Sequence, residues 1–420
     1  MTTSKKKWVA AGVIGLAAVG MAGEAFAAGF MLREQSSEYL GDAYAGSAAK
    51  AQSPATIWYN PAGMTLLDGN QIAGSLTWIA PKSRFEGNGF YTGQTIGDVI
   101  DDAAIGSTFA MYSFSKDLKF GLAVTAPFGL RSVYPSMWGN LGPYPIGSYH
   151  GVTAAVTNIN VNPNIAYRVN QNLSIGGGIQ VAWTQADLSL LTPNPPAGLG
   201  LARIKIDDTG VGWNVGALWE FSPTTRVGAA YRSAIRNGLE GDMTSLTYGS
   251  LIPSMRVHAD LTLPGTATFS FYHEIDDKWA VMADAQWTNW ASLKDLTVYN
   301  SANAVLESFD YSWRDTWFFS VGVDYKWTKG HTLHFGAAYD MGAVKDVAHR
   351  EVLVPDSDRY WLATGYTWEM NDHLRWNLAY AHLFSPSADL NTTAQKHLPT
   401  LTGSYDSSVD MISTSFVYKF

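Results

Sequence analysis

The sequence predicts an all-β membrane protein: a 14-stranded antiparallel transmembrane β-barrel with an N-terminal, partly helical hatch inside it. Three observations support this fold class. The chain opens with an export signal, continues with recurring segments in which polar and apolar residues alternate, and ends on such a segment with Phe420. Strands of about ten residues that alternate apolar-out and polar-in are typical of outer-membrane barrels.

Residues 1–27 have the features of a secretory signal peptide. Lys5, Lys6 and Lys7 supply positive charge, residues 8–22 are almost wholly small or apolar, and Ala25-Phe26-Ala27 forms an A-x-A cleavage pattern. The apolar run is shorter than the roughly 20 residues of a membrane span. We therefore expect cleavage after Ala27 rather than a retained anchor.

Residues 28–69 differ from the rest of the chain. They are rich in Ala, Gly and Ser and show little strict alternation, which indicates a compact plug with short helical turns such as 39–51. From residue 70 onward the alternating pattern begins. The predicted organisation is a hatch over 28–69 followed by a barrel over 70–420.

The barrel region contains fourteen alternating segments when Pro264-Gly265 is taken as a bulge or kink inside one strand. Splitting that strand would give an odd count, whereas single-chain bacterial barrels normally have an even one. The predicted strands are 71–80, 107–115, 119–127, 157–169, 172–188, 210–221, 225–238, 257–274, 278–290, 312–327, 331–341, 359–370, 373–384 and 408–420.

The connections between these segments are alternately short and long. Polar pairs such as Lys116-Asp117 and Pro223-Thr224 fit tight turns, whereas 128–156, 189–209 and 385–407 fit long loops. Outer-membrane barrels have short periplasmic turns and longer external loops. In the last segment Tyr418 and Phe416 share one face. This aromatic terminal strand predicts recognition by the outer-membrane assembly machinery, with a soluble edge strand as the alternative.

Composition narrows the function classes. The chain has 16 Trp and 21 Tyr, which favour the two membrane–water boundaries, and only 15% charged residues. Its net charge of −8 gives no electrostatic basis for nucleic-acid binding. The absence of Cys excludes disulfides, thiolate metal sites and a cysteine nucleophile. No mature segment is apolar for the length of a helical span. The sequence predicts no cofactor and no metal.

Several stretches of this chain resemble the FadL family, the outer-membrane transporters of long-chain fatty acids and aromatic hydrocarbons. The resemblance spans the whole mature chain, and the Asn-Pro-Ala stretch at its distance from the N-terminus is characteristic of that family. The matching stretches are Ala28-Gly29-Phe30, residues 36–46, Trp58-Tyr59-Asn60-Pro61-Ala62-Gly63-Met64, Trp313-Arg314-Asp315-Thr316 and residues 354–361.

The resemblance implies passive transport of long-chain fatty acids or related hydrophobic compounds, with neutral aromatic or aliphatic hydrocarbons as the alternative substrates. It implies binding in the barrel, rearrangement of the hatch and lateral exit to outer-membrane lipid near a kinked third strand. Here that strand ends in Pro127, Phe128 and Gly129. Proline lacks the N–H that a ladder requires, so pairing must fail locally, unless Pro127 merely ends the strand before a loop.

The resemblance also suggests ligand-binding residues. Arg314 stands where the family places a basic partner for the headgroup. Alternatively, Arg314 pairs with a carboxylate of the lumen. The adjacent Asp315 is not expected to be that carboxylate, because neighbouring residues of a strand face opposite sides. Phe30 would lie near the binding pocket or simply pack the plug. The predicted gate residues are Gly29, Asn60, Pro61 and Ala62, the last three fixing a turn first and contacting ligand second.

The loop after the third strand carries many apolar side chains, and Leu130, Tyr134, Met137 and Trp138 are predicted to form an external groove, unless they pack on neighbouring loops. A general porin is less consistent with a plug of about 40 residues. A hydrolase is less consistent with the lack of any catalytic motif. His331 and His334 would face opposite sides of a strand and form no metal pair. We expect a monomer.

Overall fold

The structure is a computed structural model that describes residues 29–194, 198–245, 254–395 and 398–420. The predicted signal peptide, residues 1–27, and the expected new N-terminus at Ala28 lie outside the described residues. Within the described ranges, no helix is both long enough and apolar enough to cross a membrane.

Fourteen long strands form the wall, and every predicted strand overlaps one of them. Three strands are interrupted, so each of these has two parts. The strands are β1 Gln71–Gly87, β2 Ala103–Ser113, β3 Leu118–Thr125 with Gly129–Val133, β4 Thr153–Arg168, β5 Leu173–Asn194, β6 Gly198–Ser222, β7 Thr225–Arg232 with Ile235–Ser245, β8 Met255–Leu263 with Thr266–Glu274, β9 Trp279–Thr288, β10 Thr316–Thr328, β11 His331–Asp340, β12 Arg359–Glu369, β13 Leu374–Phe384 and β14 Thr402–Lys419.

These strands close into a barrel. Each pairs antiparallel with the next, and β1 pairs with β14 from Gln71↔Lys419 to Gly87↔Gly403. Closure leaves no edge strand, so every ladder can satisfy its backbone groups inside the protein, as hydrocarbon requires. The predicted fold class, a closed antiparallel barrel of fourteen strands, is confirmed.

The wall has an apolar outer face. On β14, Ile412, Phe416 and Tyr418 are exposed, whereas Ser413 and Ser415 between them are buried in the lumen. The same alternation recurs on the other strands, and their exposed apolar residues form the outward band that lipid would cover. The predicted alternation of the terminal segment is therefore correct in its register.

The predicted loops are partly regular structure. The sequence predicts a loop over 189–209, but β5 and β6 continue through most of it because Leu188, Leu190, Ile204 and Ile206 bury an alternating apolar face. The remaining short elements are strands Thr95–Ile96, Asn140–Leu141, Tyr144–Pro145, Asp295–Asn300, Val305–Asp310 and Ala388–Asn391, helix Ile146–His150, and 3-10 turns Gly89–Tyr91, Trp290–Ser292 and Val347–His349.

Residues 29–69, here the N-terminal segment, lie inside the barrel. They contain helices Ser37–Leu40 and Thr56–Tyr59 and the 3-10 helix Pro61–Leu66. The helical part of residues 39–51 is therefore smaller than the sequence predicts. Asn60 caps the 3-10 helix, accepting a 3.1 Å hydrogen bond from the backbone N–H of Ala62, and Pro61 occupies its first position.

A belt of lumen-facing glycines lets the N-terminal segment approach the wall. A Cβ built at Gly176 would lie 2.7 Å from the backbone N of Ala62, and one at Gly365 would lie 2.8 Å from the Cα of Gly41. Such distances exclude a side chain. The glycine belt comprises Gly121, Gly176, Gly216, Gly228, Gly322, Gly336 and Gly365, on seven different strands.

Polar side chains of the wall satisfy the backbone of the N-terminal segment. Asp284 accepts from the N–H of Gly46 at 2.7 Å, and Arg226 donates to the carbonyls of Ala49 and Lys50, each at 2.7 Å. A buried irregular backbone is costly unless its groups are paired. The segment is therefore bonded to the wall and does not merely fill the lumen.

We predict that Gly176→Val displaces the N-terminal segment while the barrel stays closed. The added side chain overlaps the backbone at Ala62 and should cost on the order of 1–3 kcal/mol of its packing. The measurement is ionic conductance in a planar bilayer, which should rise. Gly238→Val is the matched control, because a Cβ there meets nothing within 4 Å. Equal conductance of the two variants would contradict this packing.

Candidate functional site

The third strand is broken at residues 126–128, here the first break. Strand β4 pairs with both parts of β3, through Thr125↔Asn160 and Gly129↔Thr157. Strand β2 pairs with β3 only as far as Thr108↔Val124 among the described residues. Ladder pairing therefore fails between β2 and β3 where Pro127 stands.

The start of the N-terminal segment seals the first break with backbone bonds. Leu32 donates its N–H to the carbonyl of Pro127 at 2.7 Å, and Gly129 donates to the carbonyl of Phe30 at 2.9 Å. The amide of Gln35 both donates to and accepts from the backbone of Ala126. Residues 30–35, here the gate segment, thus replace the missing strand partner.

An aromatic cluster anchors the gate segment. The ring of Phe30 lies 5.1 Å from Trp290, 6.0 Å from Phe128 and 6.1 Å from Trp313, measured between centroids. Gly29 has a φ of +62° and packs so closely that a Cβ would lie 2.7 Å from the ring of Trp290. Both the conformation and the space therefore favour glycine at this position.

A cavity lies between the gate segment and strands β7 to β9. One part of its lining is aromatic, and another is polar. The lining residues include Met31, Leu32, Arg33, Tyr44, Trp58, Tyr59, Pro127, Phe128, Phe318, Gln180, Arg232, Ser233, Ile235, Leu263, Pro264, Asp284 and Gln286. The first break and the gate segment both border this cavity.

Two arginines give the cavity a cationic side. Arg232 lies 3.4 Å from the ring centroid of Trp58, donates to the carbonyl of Trp58 and donates to Oε1 of Gln180 at 2.8 Å. No carboxylate of the described residues lies within salt-bridge distance of its guanidinium. Arg33 faces the ring of Phe318 at 4.2 Å, and its nearest carboxylate, Asp340, is 3.6 Å away.

Arg33 belongs to a buried network of charges. Asp340 lies between Arg33 and Arg359, at 3.1 Å from the latter, and Arg359 also approaches Asp356 at 3.5 Å. The adjacent Glu34 is 1% exposed, and its oxygens have no hydrogen-bond partner within the described ranges. Burial raises the pKa of Glu34 to about 7, although Arg33 opposes this shift.

Arg314 lies outside the cavity lining. Its guanidinium is 3.5 Å from Asp358 and donates to the carbonyl of Gly342 at 3.1 Å, so it pairs with a carboxylate other than Asp315. Phe30, Pro127 and Phe128 by contrast meet at the first break. The ligand role of Arg314 stays a prediction, and the gate role of Gly29, Asn60, Pro61 and Ala62 does too.

The predicted external groove is wrong for three of its four residues. Leu130, Tyr134 and Trp138 are buried, and only Met137 is exposed. The rings of Tyr134 and Trp138 stack at 4.4 Å, and the hydroxyl of Tyr134 hydrogen-bonds that of Tyr405 at 2.9 Å. These side chains pack into one hydrophobic core that joins residues of several loops to residues of the wall and of the N-terminal segment.

Another buried cluster links the N-terminal segment to β10 and β11. Asp42, Asp324 and His334 are the one group of acidic and histidine ligands within the described residues that could hold a metal. The ammonium of Lys50, however, bonds Asp42 and lies 3.1 Å from Asp324. An ammonium already neutralises these carboxylates, so the geometry is that of an ion-pair network.

Arg33 and Arg232 were not singled out by the sequence analysis. Arg33 is three residues after Phe30, between two of the stretches that resemble the family, and could have been weighed there. Arg232 precedes a break in β7 that only the pairing partners reveal. Since lumen arginines occur on several strands, sequence alone gives no reason to prefer Arg232.

We predict that the pH dependence of stability contains a contribution from Glu34. A carboxyl whose folded pKa is raised stabilises the folded state fully below its ordinary pKa of 4.5, and that stability is lost as pH rises towards 7. Glu34→Gln should reduce the loss of unfolding free energy over this pH range by on the order of 3 kcal/mol. The measurement is the urea concentration at the midpoint of unfolding, determined in detergent for both proteins between pH 4.5 and 8. Parallel pH profiles of both proteins would contradict it.

Comparison with known proteins identifies the family. Residues 18–420 match the family described as outer membrane protein transport protein (OMPP1/FadL/TodX). The long-chain fatty acid transport protein of Escherichia coli O6:H1 (strain CFT073) is 27% identical over 387 residues, covering 83% of this chain and 85% of that protein. Outer membrane protein P1 of Haemophilus influenzae is also 27% identical, with 86% and 87% covered.

Solved structures agree on the fold. A Pseudomonas aeruginosa FadL homologue superposes with a TM-score of 0.84 at 25% identity, covering 94% of this chain and 100% of that one. The Ralstonia pickettii toluene transporter TbuX, at 19% identity, has a TM-score of 0.64 over 87% and 94% of the chains and shares the fold. This chain therefore belongs to the OMPP1/FadL/TodX family of transport proteins and is a β-barrel of the outer membrane, not an enzyme.

Proposed function

We propose that this protein carries long-chain fatty acids, or amphipathic anions like them, passively into the outer membrane. The observation that carries the proposal is the cavity, in which Arg232 has no acidic partner within the described residues beside an aromatic wall. A half-buried cation without a counter-charge has lost part of its hydration without compensation. A bound carboxylate would supply that charge through strong, charge-assisted hydrogen bonds.

The proposed ligand pose follows from the two sides of the cavity. The headgroup lies between Arg33 and Arg232, and the hydrocarbon tail lies along Tyr44, Phe128 and Phe318. Apolar contact with these rings removes the tail from water, which is the main source of affinity for a long chain. The named activity of the Escherichia coli relative supports this substrate class.

Release in this proposal is lateral. The N-terminal segment acts as a hatch, and its gate segment leaves the first break, so that the tail passes between β2 and β3 into lipid. The bonds from Leu32 and Gly129 that seal the break are few, and they lie beside the cavity. A monomer suffices for this route because lipid must reach the wall at β3.

Neutral hydrocarbons are the second candidate, since relatives with the same fold are named toluene transporters. A neutral ligand would occupy the aromatic side of the cavity and leave Arg232 without a counter-charge. The porin alternative has less support, because the N-terminal segment occupies the lumen and is bonded to the wall. Comparing the binding of a fatty acid with the binding of an uncharged chain of equal length distinguishes the fatty-acid proposal from the hydrocarbon alternative.

We predict that Arg232→Gln weakens oleate binding to the purified protein by roughly tenfold. One charge-assisted hydrogen bond contributes about 1.5–3 kcal/mol, and about 1.4 kcal/mol corresponds to tenfold. Arg232→Lys should be intermediate. Binding of oleyl alcohol should be unchanged, and Arg314→Ala should bind oleate like the wild type because it lies outside the lining. Oleate binding that depends on Arg314 but not on Arg232 would contradict the assignment.

We predict that a disulfide between the gate segment and the first break stops transfer but not binding. Met31 and Phe128 form an antiparallel bridge, and the chain has no native cysteine, so Met31→Cys with Phe128→Cys gives a single staple. Oleate transfer from micelles to vesicle lipid should fall when the variant is oxidised and recover on reduction. Ser83→Cys with Ser407→Cys, whose hydroxyls are 2.8 Å apart on the intact β1–β14 ladder, is the control. Unchanged transfer by the oxidised staple would refute the gate.

A further inference from the structure

Carboxamide side chains line the wall behind Arg232. Residues 158–164 read Asn-Ile-Asn-Val-Asn-Pro-Asn, so that every second residue of this part of β4 is an asparagine. Alternate residues of a strand share one face, and these asparagines are all buried in the lumen. Buried carboxamides on β5 and β6 continue the row across the neighbouring strands. The amide network comprises Asn158, Asn160, Asn162, Asn164, Gln180 and Asn214.

Hydrogen bonds fix the orientation of the carboxamides in the amide network. Asn162 donates through Nδ2 to Oδ1 of Asn214 at 2.8 Å. Asn160 donates to Oε1 of Gln180 at 3.2 Å, and Nε2 of Gln180 donates to the carbonyl of Trp213 at 3.0 Å. Because a carboxamide donates only through its nitrogen, these bonds leave the oxygens of Asn162 and Gln180 free to accept from a further donor.

Those two oxygens accept hydrogen bonds from Arg232. Its Nη1 donates to Oε1 of Gln180 at 2.8 Å, and its Nη2 donates to Oδ1 of Asn162 at 3.1 Å. Both Nε and Nη2 donate to the carbonyl of Trp58. These four bonds use all but one of the N–H donors of a guanidinium. Every acceptor is a neutral oxygen, which holds the guanidinium in place without cancelling its charge.

Three further arginines of the lumen differ from Arg232. Arg33 and Arg359 both lie near the carboxylate of Asp340, at 3.6 and 3.1 Å. Arg226 donates to backbone carbonyls, as Arg232 does, but Arg226 does not line the cavity. In the part of the chain that the structure describes, Arg232 is therefore the arginine of the cavity lining whose acceptors are all uncharged.

We propose that Gln180 and Asn162 determine the charge selectivity of the cavity. Their carboxamides position Arg232 and leave its charge to an anionic headgroup, so that the cavity prefers a carboxylate over an uncharged chain of the same length. A carboxylate at position 180 would instead neutralise Arg232 from the wall and give a site for neutral amphiphiles. The proposal rests on the proposed function and deepens it by naming the residues that make the site select an anion.

Position 180 is the better of the two for a test. Gln180→Glu removes one donor from the carbonyl of Trp213, which still accepts the N–H of Ser233 at 2.9 Å. At Asn162 the nitrogen donates to the carbonyl of Ile179 at 2.8 Å and to a second oxygen of the amide network, so Asn162→Asp would place its charge beside two acceptors. A buried acceptor that loses its donor is costly. Gln180→Glu therefore changes the charge with less disturbance.

The test compares the dissociation constants of oleate and oleyl alcohol, measured with the purified protein at neutral pH. Gln180→Glu should weaken oleate binding about tenfold, because the new carboxylate competes with the headgroup for Arg232. Oleyl alcohol should bind this variant as it binds the wild type, which also shows that the cavity is intact. Gln180→Met has a similar length and no charge, and it should keep the preference of the wild type for oleate.

Asn164→Asp is the matched control. It adds a carboxylate to the same face of β4, two residues beyond Asn162. Asn164 bonds Asn214 and has no hydrogen bond to Arg232 within the described ranges. Because a Coulomb interaction weakens with distance, this variant should prefer oleate over oleyl alcohol as the wild type does.

Three results would overturn the proposal. The first is unchanged oleate binding by Gln180→Glu. The second is an equal weakening of oleate and oleyl alcohol by Gln180→Glu, which would give Gln180 a structural role only. The third is a loss of oleate binding by Asn164→Asp as large as that by Gln180→Glu, since contact with Arg232 would then not matter. A wild-type protein that binds no oleate would instead refute the proposed function itself.

Discussion

The requirement that backbone polar groups be paired away from water governs this structure. A closed ladder of fourteen strands meets this requirement almost everywhere, and the pairing of β1 with β14, which begins at Gln71↔Lys419, closes the circle. Where the ladder fails at Pro127, hydrogen bonds that Leu32 donates, that the carbonyl of Phe30 accepts and that the amide of Gln35 donates and accepts take its place. The same constraint that closes the wall therefore ties the N-terminal segment to its weakest point.

Inside the lumen, the body of the N-terminal segment is tightly packed against the wall, whereas the gate segment is loosely held. The glycine belt, Asp284 and Arg226 hold the body of the N-terminal segment against the wall, whereas the gate segment rests on a few bonds and an aromatic cluster. Motion in such an arrangement concentrates where contacts are fewest. The cavity lies beside that loose part, and its two cations, buried Arg33 and half-buried Arg232, stand next to an apolar wall.

The strands were predictable because lipid on one face and a polar lumen on the other impose alternation, which is why even the kink at Pro264-Gly265 was visible in the sequence. Loops were less predictable: 189–209 forms strands, and Leu130, Tyr134 and Trp138 turn inward because the loops share a core. The cationic site was missed because Arg232 and Trp58 are 174 positions apart in the chain and meet only in the folded barrel.

The contacts of Ser37 have a consequence for biogenesis. Its N–H bonds Ser75 on β1, and its hydroxyl donates to the carbonyl of Ser413 on β14, 376 positions along the chain. Residues synthesised among the first can thus bond their final partners only after the terminal strand is in place. Contacts of such sequence separation form late. Docking of the N-terminal segment therefore requires a closed barrel. In a barrel with a missing or slipped strand, the segment could not dock and the lumen would remain open.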